Sequence, residues 1–196
     1  MILTNDKYEV ILIGGSAGSI RVLKNILKSL TFVPKIPIIV GLHRLQTDTS
    51  AGLRTVIQFS TDLPVIEPVQ GQKIENSKVY IAPANRHLIV EYDKTLSLSE
   101  SPLVHYSRPS IDTLFLSAAE VFQDKIIGIL LTGANKDGAY GIKMIAENGG
   151  KTIVQHPDDC FINTMTKAAI EMTEIDHILT AQEIASFLNN FFDENK

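Results

Sequence analysis

A chain of 196 residues with 44% hydrophobic content can bury one substantial core, and it falls within the size of one ordinary domain. Its formal charge of −4, with lysines and acids interspersed, supplies no basic stripe of the kind that neutralises phosphates, which argues against nucleic acid as a partner. The single cysteine, Cys160, can form neither an internal disulfide nor a thiolate metal cage, and no stretch approaches the roughly 20 apolar residues of a membrane span. The reading is a cytoplasmic protein with no membrane insertion.

Residues 8–13 form a short β-branched run that meets Gly14, and residues 19–30 follow with Ile20, Leu23, Ile26, Leu27 and Leu30 at helical spacing. That is strand, tight turn, helix. A second run at 36–40 leads through Gly41 and Leu42 to His43, and residues 50–59 can form a helix with Leu53, Val56 and Ile57 on one side. Between 63 and 98 the pattern changes to short apolar stretches at 64–66, 78–82, 87–92 and 95–98, read as strands, some of them antiparallel.

Helix is expected again at 110–122, then a continuous apolar strand at 125–131, then a helix at 138–148 closed by Gly149 and Gly150. A strand at 152–154, a helix near 163–171, a short strand near 175–179 and a terminal helix at 180–192 complete the chain, with residues 193–196 as a frayed tail. The alternation predicts a three-layer α/β sandwich around a mainly parallel, doubly wound sheet, with a small β-rich, partly antiparallel insertion. No repeat or linker divides it, so residues 1–196 are read as one domain with its core at about 8–192.

The first turn, Gly14-Gly15-Ser16-Ala17-Gly18, fits the spacing G-x-S-x-G between a strand and a helix, where small neighbours let a serine stand on a sharp bend. A nucleophile, a phosphate cradle and a plain tight turn all remain open on that turn alone. The glycines fit G-x-G-x-x-G in no register and no P-loop lysine follows, which weakens the nucleotide reading. The order also differs from an ordinary α/β-hydrolase, whose nucleophile follows several strands and whose histidine comes last.

In an open parallel sheet, loops at the carboxyl ends of the strands gather on one edge. His43 follows the second strand, and Asp137 lies in the glycine-flanked turn after the strand at 125–131 on the same edge, so Asp137 is in position to meet His43. A serine hydroxyl needs a base beside it, and the imidazole needs an acceptor to fix its tautomer. Position alone also allows a surface histidine at 43 and a helix N-cap at Asp137. His87, His105, His156 and His177 show no spacing of a metal site, and no metal or cofactor is expected.

Taken together, these turns resemble the catalytic domain of the chemotaxis protein-glutamate methylesterases, the CheB family, from about residue 8 to 191. ILIGGSAGS is similar to that family's nucleophile motif, the strand ending in GLH to its histidine position and LTGANKDGAYG to its aspartate motif, while KVYIAPANRHLIV, SRPSIDTLF and VQHPDDCFINTMTKAAIE resemble further blocks in the same order. The resemblance implies a Ser16, His43, Asp137 triad and an oxyanion hole made by the backbone amides of His43 and Ala134. It also implies hydrolysis of γ-glutamyl methyl esters on chemoreceptor cytoplasmic helices, with glutamine deamidation in some members, and no cofactor.

Ala17 is expected near the substrate, and Arg108 either lines the cleft to touch an acidic receptor segment or serves in capping or surface solvation. The chain departs from the family pattern at Ala17, Ser19, Ala134, Asn135, Asn163 and Thr166, which puts substrate preference and rate at issue more than reaction class. Many members carry an N-terminal receiver domain, whereas here the catalytic strand begins within ten residues, so a stand-alone catalytic domain or a piece of a longer protein is expected. A binding module with a disabled site is the alternative of a different class, and a nucleotide-binding domain is the weaker third.

Overall fold

Six consecutive buried residues, Val10–Gly15, form β1, and a strand that is apolar on both sides belongs in the middle of a sheet covered on both faces. β1 pairs in parallel with β2 (Ile38–Leu42) on one side and with β8 (Ile126–Leu130) on the other. The computed structural model describes residues 7–31, 33–45 and 50–192, with backbone only at 50 and 51. The expected frayed tail, residues 193–196, lies outside the described residues.

The helices are α1 (Ser19–Lys28), α2 (Ser50–Gln58), α3 (Ile111–Phe122), α4 (Ala139–Glu147), α5 (Thr164–Met172) and α6 (Ala181–Phe192). The remaining strands are β3 (Val65–Ile66), β4 (Gln72–Lys73), β5 (Val79–Ile81), β6 (His87–Val90), β7 (Thr95–Ser99), β9 (Lys151–Gln155) and β10 (His177–Leu179). Seven strands form a wholly parallel sheet in the order β10-β9-β8-β1-β2-β5-β3. The chain winds outward from β1 through β2, then returns to add β8, β9 and β10 on the other side.

Alternation along the strands feeds two cores. Val10, Leu12, Ile39 and Leu130 pack with α3, α4 and α5 through Leu114, Phe115, Ile142, Ile145 and Met165. On the opposite face Ile11, Ile13, Val40 and Ile129 pack with Leu23, Ile26, Ile57, Ile184 and Leu188 of α1, α2 and α6. The result is the expected sandwich of helix, sheet and helix. Truncating a fully buried member such as Leu23 to Ala costs ~2–5 kcal/mol.

The insertion is smaller than its apolar stretches suggest. β3 and β5, predicted within it, are drawn into the parallel sheet beside β2, and only β4, β7 and β6 form the antiparallel sheet, in that order. Gln72 and Lys73 carry no apolar signal, which is why β4 is invisible to periodicity. The switch in winding direction lies at β1 and β8, and in such sheets the crevice beyond the carboxyl ends of the strands is where ligands bind.

Candidate active site

The turn after β1 is held by backbone rather than by long side chains. Ser16 N–H donates to Thr132 O at 2.9 Å, and Ser19 returns both its amide and its hydroxyl to Ser16 O, at 3.0 and 2.5 Å. Gly18 then adopts φ 84°, a left-handed conformation that favours glycine, and a Cβ there would meet Phe161 at 2.6 Å. Thr132, fully buried after β8, places its Oγ1 within 3.0 Å of Ala17 O and 2.9 Å of Ile162 O, and accepts from Ile162 N at 2.9 Å. One hydroxyl thus ties the serine turn to the segment leading into α5.

The structure brings Ser16, His43 and Asp137 together. His43 Nδ1 lies 3.1 Å from Ser16 Oγ, and His43 Nε2 lies 2.6 Å from Asp137 Oδ2. An ionised carboxylate only accepts, so Nε2 carries the proton and Nδ1 keeps its lone pair toward the serine hydroxyl. The imidazole is 12% exposed and the carboxylate not at all.

Asp137 does not cap the helix that follows it. Its Oδ1 accepts from Ser110 Oγ (2.9 Å) and Asp112 N (3.0 Å), and its Oδ2 accepts from Ile111 N (2.7 Å) as well as from His43, so it caps the start of α3. Asp112, in that same first turn, accepts through Oδ1 from Gly138 N (2.8 Å) and Gly141 N (2.7 Å) and so caps α4. The two acids exchange helices. Each carboxylate meets the positive end of a helix, which favours its charge.

Burial opposes ionisation of Asp137, but the hydrogen bonds from His43 and from the Asp112 and Ile111 amides outweigh it and hold the carboxyl below its ordinary value. At Asp112 the balance reverses: burial, joined by the Asp137 charge, outweighs the Gly141 and Gly138 amides and His105, and pushes the carboxyl up to about 6. Sequence reading missed Asp112. The signal for it is a Ser-x-Asp pattern opening a helix, with the acid at a position where capping is common.

Residues 104–107 form a tight hairpin in which Val104 and Ser107 exchange backbone hydrogen bonds of 3.1 and 2.8 Å. Its two central residues, His105 (φ 47°) and Tyr106 (φ 61°), are both left-handed, a turn that ordinarily uses Asn-Gly and costs these side chains roughly 1 kcal/mol each. The hairpin delivers Ser107 Oγ to 3.2 Å from His43 Nδ1. Asn135 fastens it from the acid loop, donating from Nδ2 to His105 O at 3.3 Å while its Oδ1 accepts from Asp137 N at 3.2 Å. This departure from glycine therefore joins two walls of the site.

Two expected contributions differ. The His43 amide, expected as an oxyanion donor, instead donates to Gly15 O at 3.1 Å, because it forms the last rung of the β1–β2 ladder. The amides of Ala134 and Ala17 have no acceptor among the described residues. Arg108, expected to reach substrate, instead pins the loop: Nε and Nη2 donate to Asn85 Oδ1 at 3.1 and 2.7 Å, and Nη1 donates to Glu100 O and Ser101 O at 2.6 and 2.9 Å. Its donors are used by carbonyls close in sequence and by one amide. Ala17 does sit beside Ser16, half-buried.

His105, Asp112 and Asp137 present one possible metal-ligand atom each within 4.8 Å of one another. In this group Asp137 already accepts four donors and Asp112 Oδ1 two amides, while Asp112 Oδ2 lies 3.4 Å from His105 Nε2. Among the described residues no helix is long and apolar enough to cross a membrane.

A parallel α/β sandwich that aligns hydroxyl, imidazole and carboxylate at the carboxyl edge of its sheet is the arrangement of a hydrolase. The profile of the family described as CheB methylesterase matches residues 11–188. The crystal structure of the Thermotoga maritima CheB methylesterase catalytic domain superposes with a TM-score of 0.88 at 30% identity, covering 93% of this chain and 98% of that one. A Leptospira interrogans protein, whose name gives protein-glutamate methylesterase/protein-glutamine glutaminase provisionally, is 43% identical over 91% of this chain and 92% of its own length. A Clostridium acetobutylicum protein-glutamate methylesterase/protein-glutamine glutaminase is 30% identical over 93% of this chain but only 53% of its own length. The chain belongs to the CheB methylesterase family, and its class is carboxylic ester hydrolase.

Proposed function

We propose that this chain hydrolyses glutamyl methyl esters on the cytoplasmic helices of chemoreceptors, with Ser16 as nucleophile, His43 as general base and Asp137 as the acid that orients it. The observation that carries the reading is the unbroken line from Ser16 Oγ through His43 (3.1 Å) to Asp137 (2.6 Å). His43 Nδ1 takes the Ser16 proton as Oγ attacks the ester carbonyl, and the imidazolium returns that proton to the departing methoxide, which leaves as methanol. Nδ1 then takes a proton from water as that water attacks the acyl carbonyl, and returns it to Ser16 Oγ as the C–Oγ bond breaks, which releases glutamate and restores the serine. The same sequence applied to a glutamine side chain releases ammonia.

The developing oxyanion needs fixed N–H donors. We assign the amides of Ala134 and Ala17: neither has an acceptor among the described residues, and the residue after the nucleophile is the usual donor on such turns. Residues 1–196 act in this reading as one catalytic domain with its core at about 8–192, working in the cytoplasm without a cofactor.

Methanol release from methylated receptor membranes tests the proposal. Ser16→Ala and His43→Ala are each expected to lower kcat by roughly 10⁴-fold or more. Release that persists in Ser16→Ala at the rate of the unaltered protein rules the mechanism out. A disabled module that only docks its partner predicts binding without turnover and no labelling of Ser16 by a serine-directed phosphonate.

A further inference from the structure

His43 Nδ1 faces two hydroxyls rather than one. Ser16 Oγ lies 3.1 Å away and Ser107 Oγ 3.2 Å away, and they arrive from opposite directions in the chain, one from the turn after β1 and one from the hairpin before α3. A neutral imidazole whose Nε2–H points at Asp137 has a single lone pair at Nδ1. Only one of the hydroxyls can dominate at a time. Ser107 has a second acceptor in reach, His105 O at 3.4 Å.

That second acceptor lets the Ser107 hydroxyl serve both protonation states of the base. With neutral imidazole it donates to Nδ1. With imidazolium it turns its proton to His105 O and accepts the Nδ1–H. The Ser16 hydroxyl cannot do this throughout the reaction, because once acylated it has no proton to give.

We propose that Ser107 is a positioning residue that takes over His43 Nδ1 when Ser16 is acylated, holding the imidazole in plane beside the ester until water arrives and so acting chiefly on deacylation. The proposal rests on the Ser16, His43, Asp137 reading above. The hairpin is built to keep Ser107 in place: its backbone bridge to Val104 and the Asn135 bond to His105 O do not depend on the Ser107 hydroxyl. Replacing that hydroxyl therefore leaves the turn standing.

The test uses the full chain, with p-nitrophenyl acetate to separate the acylation burst from steady-state turnover and with ¹⁵N NMR of the His43 ring. Ser107→Ala is expected to leave the burst rate within about twofold and to slow the steady-state rate roughly three- to tenfold, the effect of one hydrogen bond. With Ser16 blocked by a serine-directed phosphonate, Ser107→Ala should show a moved Nδ1 resonance, and Ser107→Thr, which keeps a hydroxyl, should restore both. An unchanged steady-state rate with an unchanged Nδ1 resonance overturns the proposal, as does an equal slowing of burst and steady state that Thr does not rescue. Ser16→Ala runs beside them: turnover surviving there defeats the triad reading itself, whereas its loss alongside a silent Ser107→Ala defeats only the role of Ser107.

Discussion

The acid end of the site and its hydroxyl end are held in opposite ways. Asp137 is completely buried and its two oxygens take four donors, whereas Ser16 is half-buried and its Oγ meets, among the described residues, a single partner atom, His43 Nδ1. The chemistry accounts for the contrast. A carboxylate away from water stays charged only when its lone pairs are satisfied, while a nucleophile has to release its proton and change partners during the reaction. Rigidity is concentrated behind the base and freedom in front of it.

Removing each end separates the two. Asp137→Ala strips His43 of its acceptor and leaves the Ile111 and Asp112 amides and the Ser110 hydroxyl without one, so kcat should fall by roughly 10⁴-fold and stability by ~3 kcal/mol. Ser16→Ala should match that loss of turnover with a stability change within ~0.5 kcal/mol. Methanol release together with urea unfolding checks the pair. Equal stability losses would mean that the two ends are held alike.

Asp112→Asn sharpens the comparison by removing the charge beside Asp137 while keeping an oxygen for the Gly138 and Gly141 amides. In the folded protein Asp112 keeps its proton up to about 6, against an ordinary value of 3.8, so between these values the folded state binds more protons than the unfolded one. Raising pH through that window therefore costs the unaltered protein stability. The variant lacks this loss and should gain on it between pH 4 and 7, by on the order of 2 kcal/mol. Melting curves that stay parallel across the window would contradict the assignment.

Smaller effects follow on the hydroxyl side. Thr132→Val keeps the shape but takes the hydroxyl from Ile162 N and Ala17 O, which should cost ~1–2 kcal/mol in urea unfolding and slow turnover roughly threefold through the loosened serine turn. Asn135→Gly loses bonds of 3.3 and 3.2 Å at a half-exposed position and should change stability by no more than ~1 kcal/mol, with faster amide exchange at His105 and Tyr106 as the direct readout.

The parts of this design that repeat along the chain are legible in the sequence. The apolar runs that became β1, β2 and β8, and the turns that end them, place Ser16, His43 and Asp137 on one edge because a parallel sheet leaves few other arrangements. The parts made by contact between distant segments are not. Nothing local in Ser107 points to His43, sixty-four positions away, and nothing in the Arg108 side chain tells a substrate contact from a brace on its own loop. The His43 amide was misjudged for a related reason, since the last rung of a ladder depends on where the neighbouring strand stops.

The exchange of acids between α3 and α4 carries a consequence for hybrids made between relatives. Because first-turn amides of α3 are satisfied by Asp137 from the loop before α4, and those of α4 by Asp112 from α3, the stretch around 110–113 and the stretch around 137–141 behave like two interlocked links. Transplanting either one alone would open both, while moving them as a set should carry a working joint into a new background.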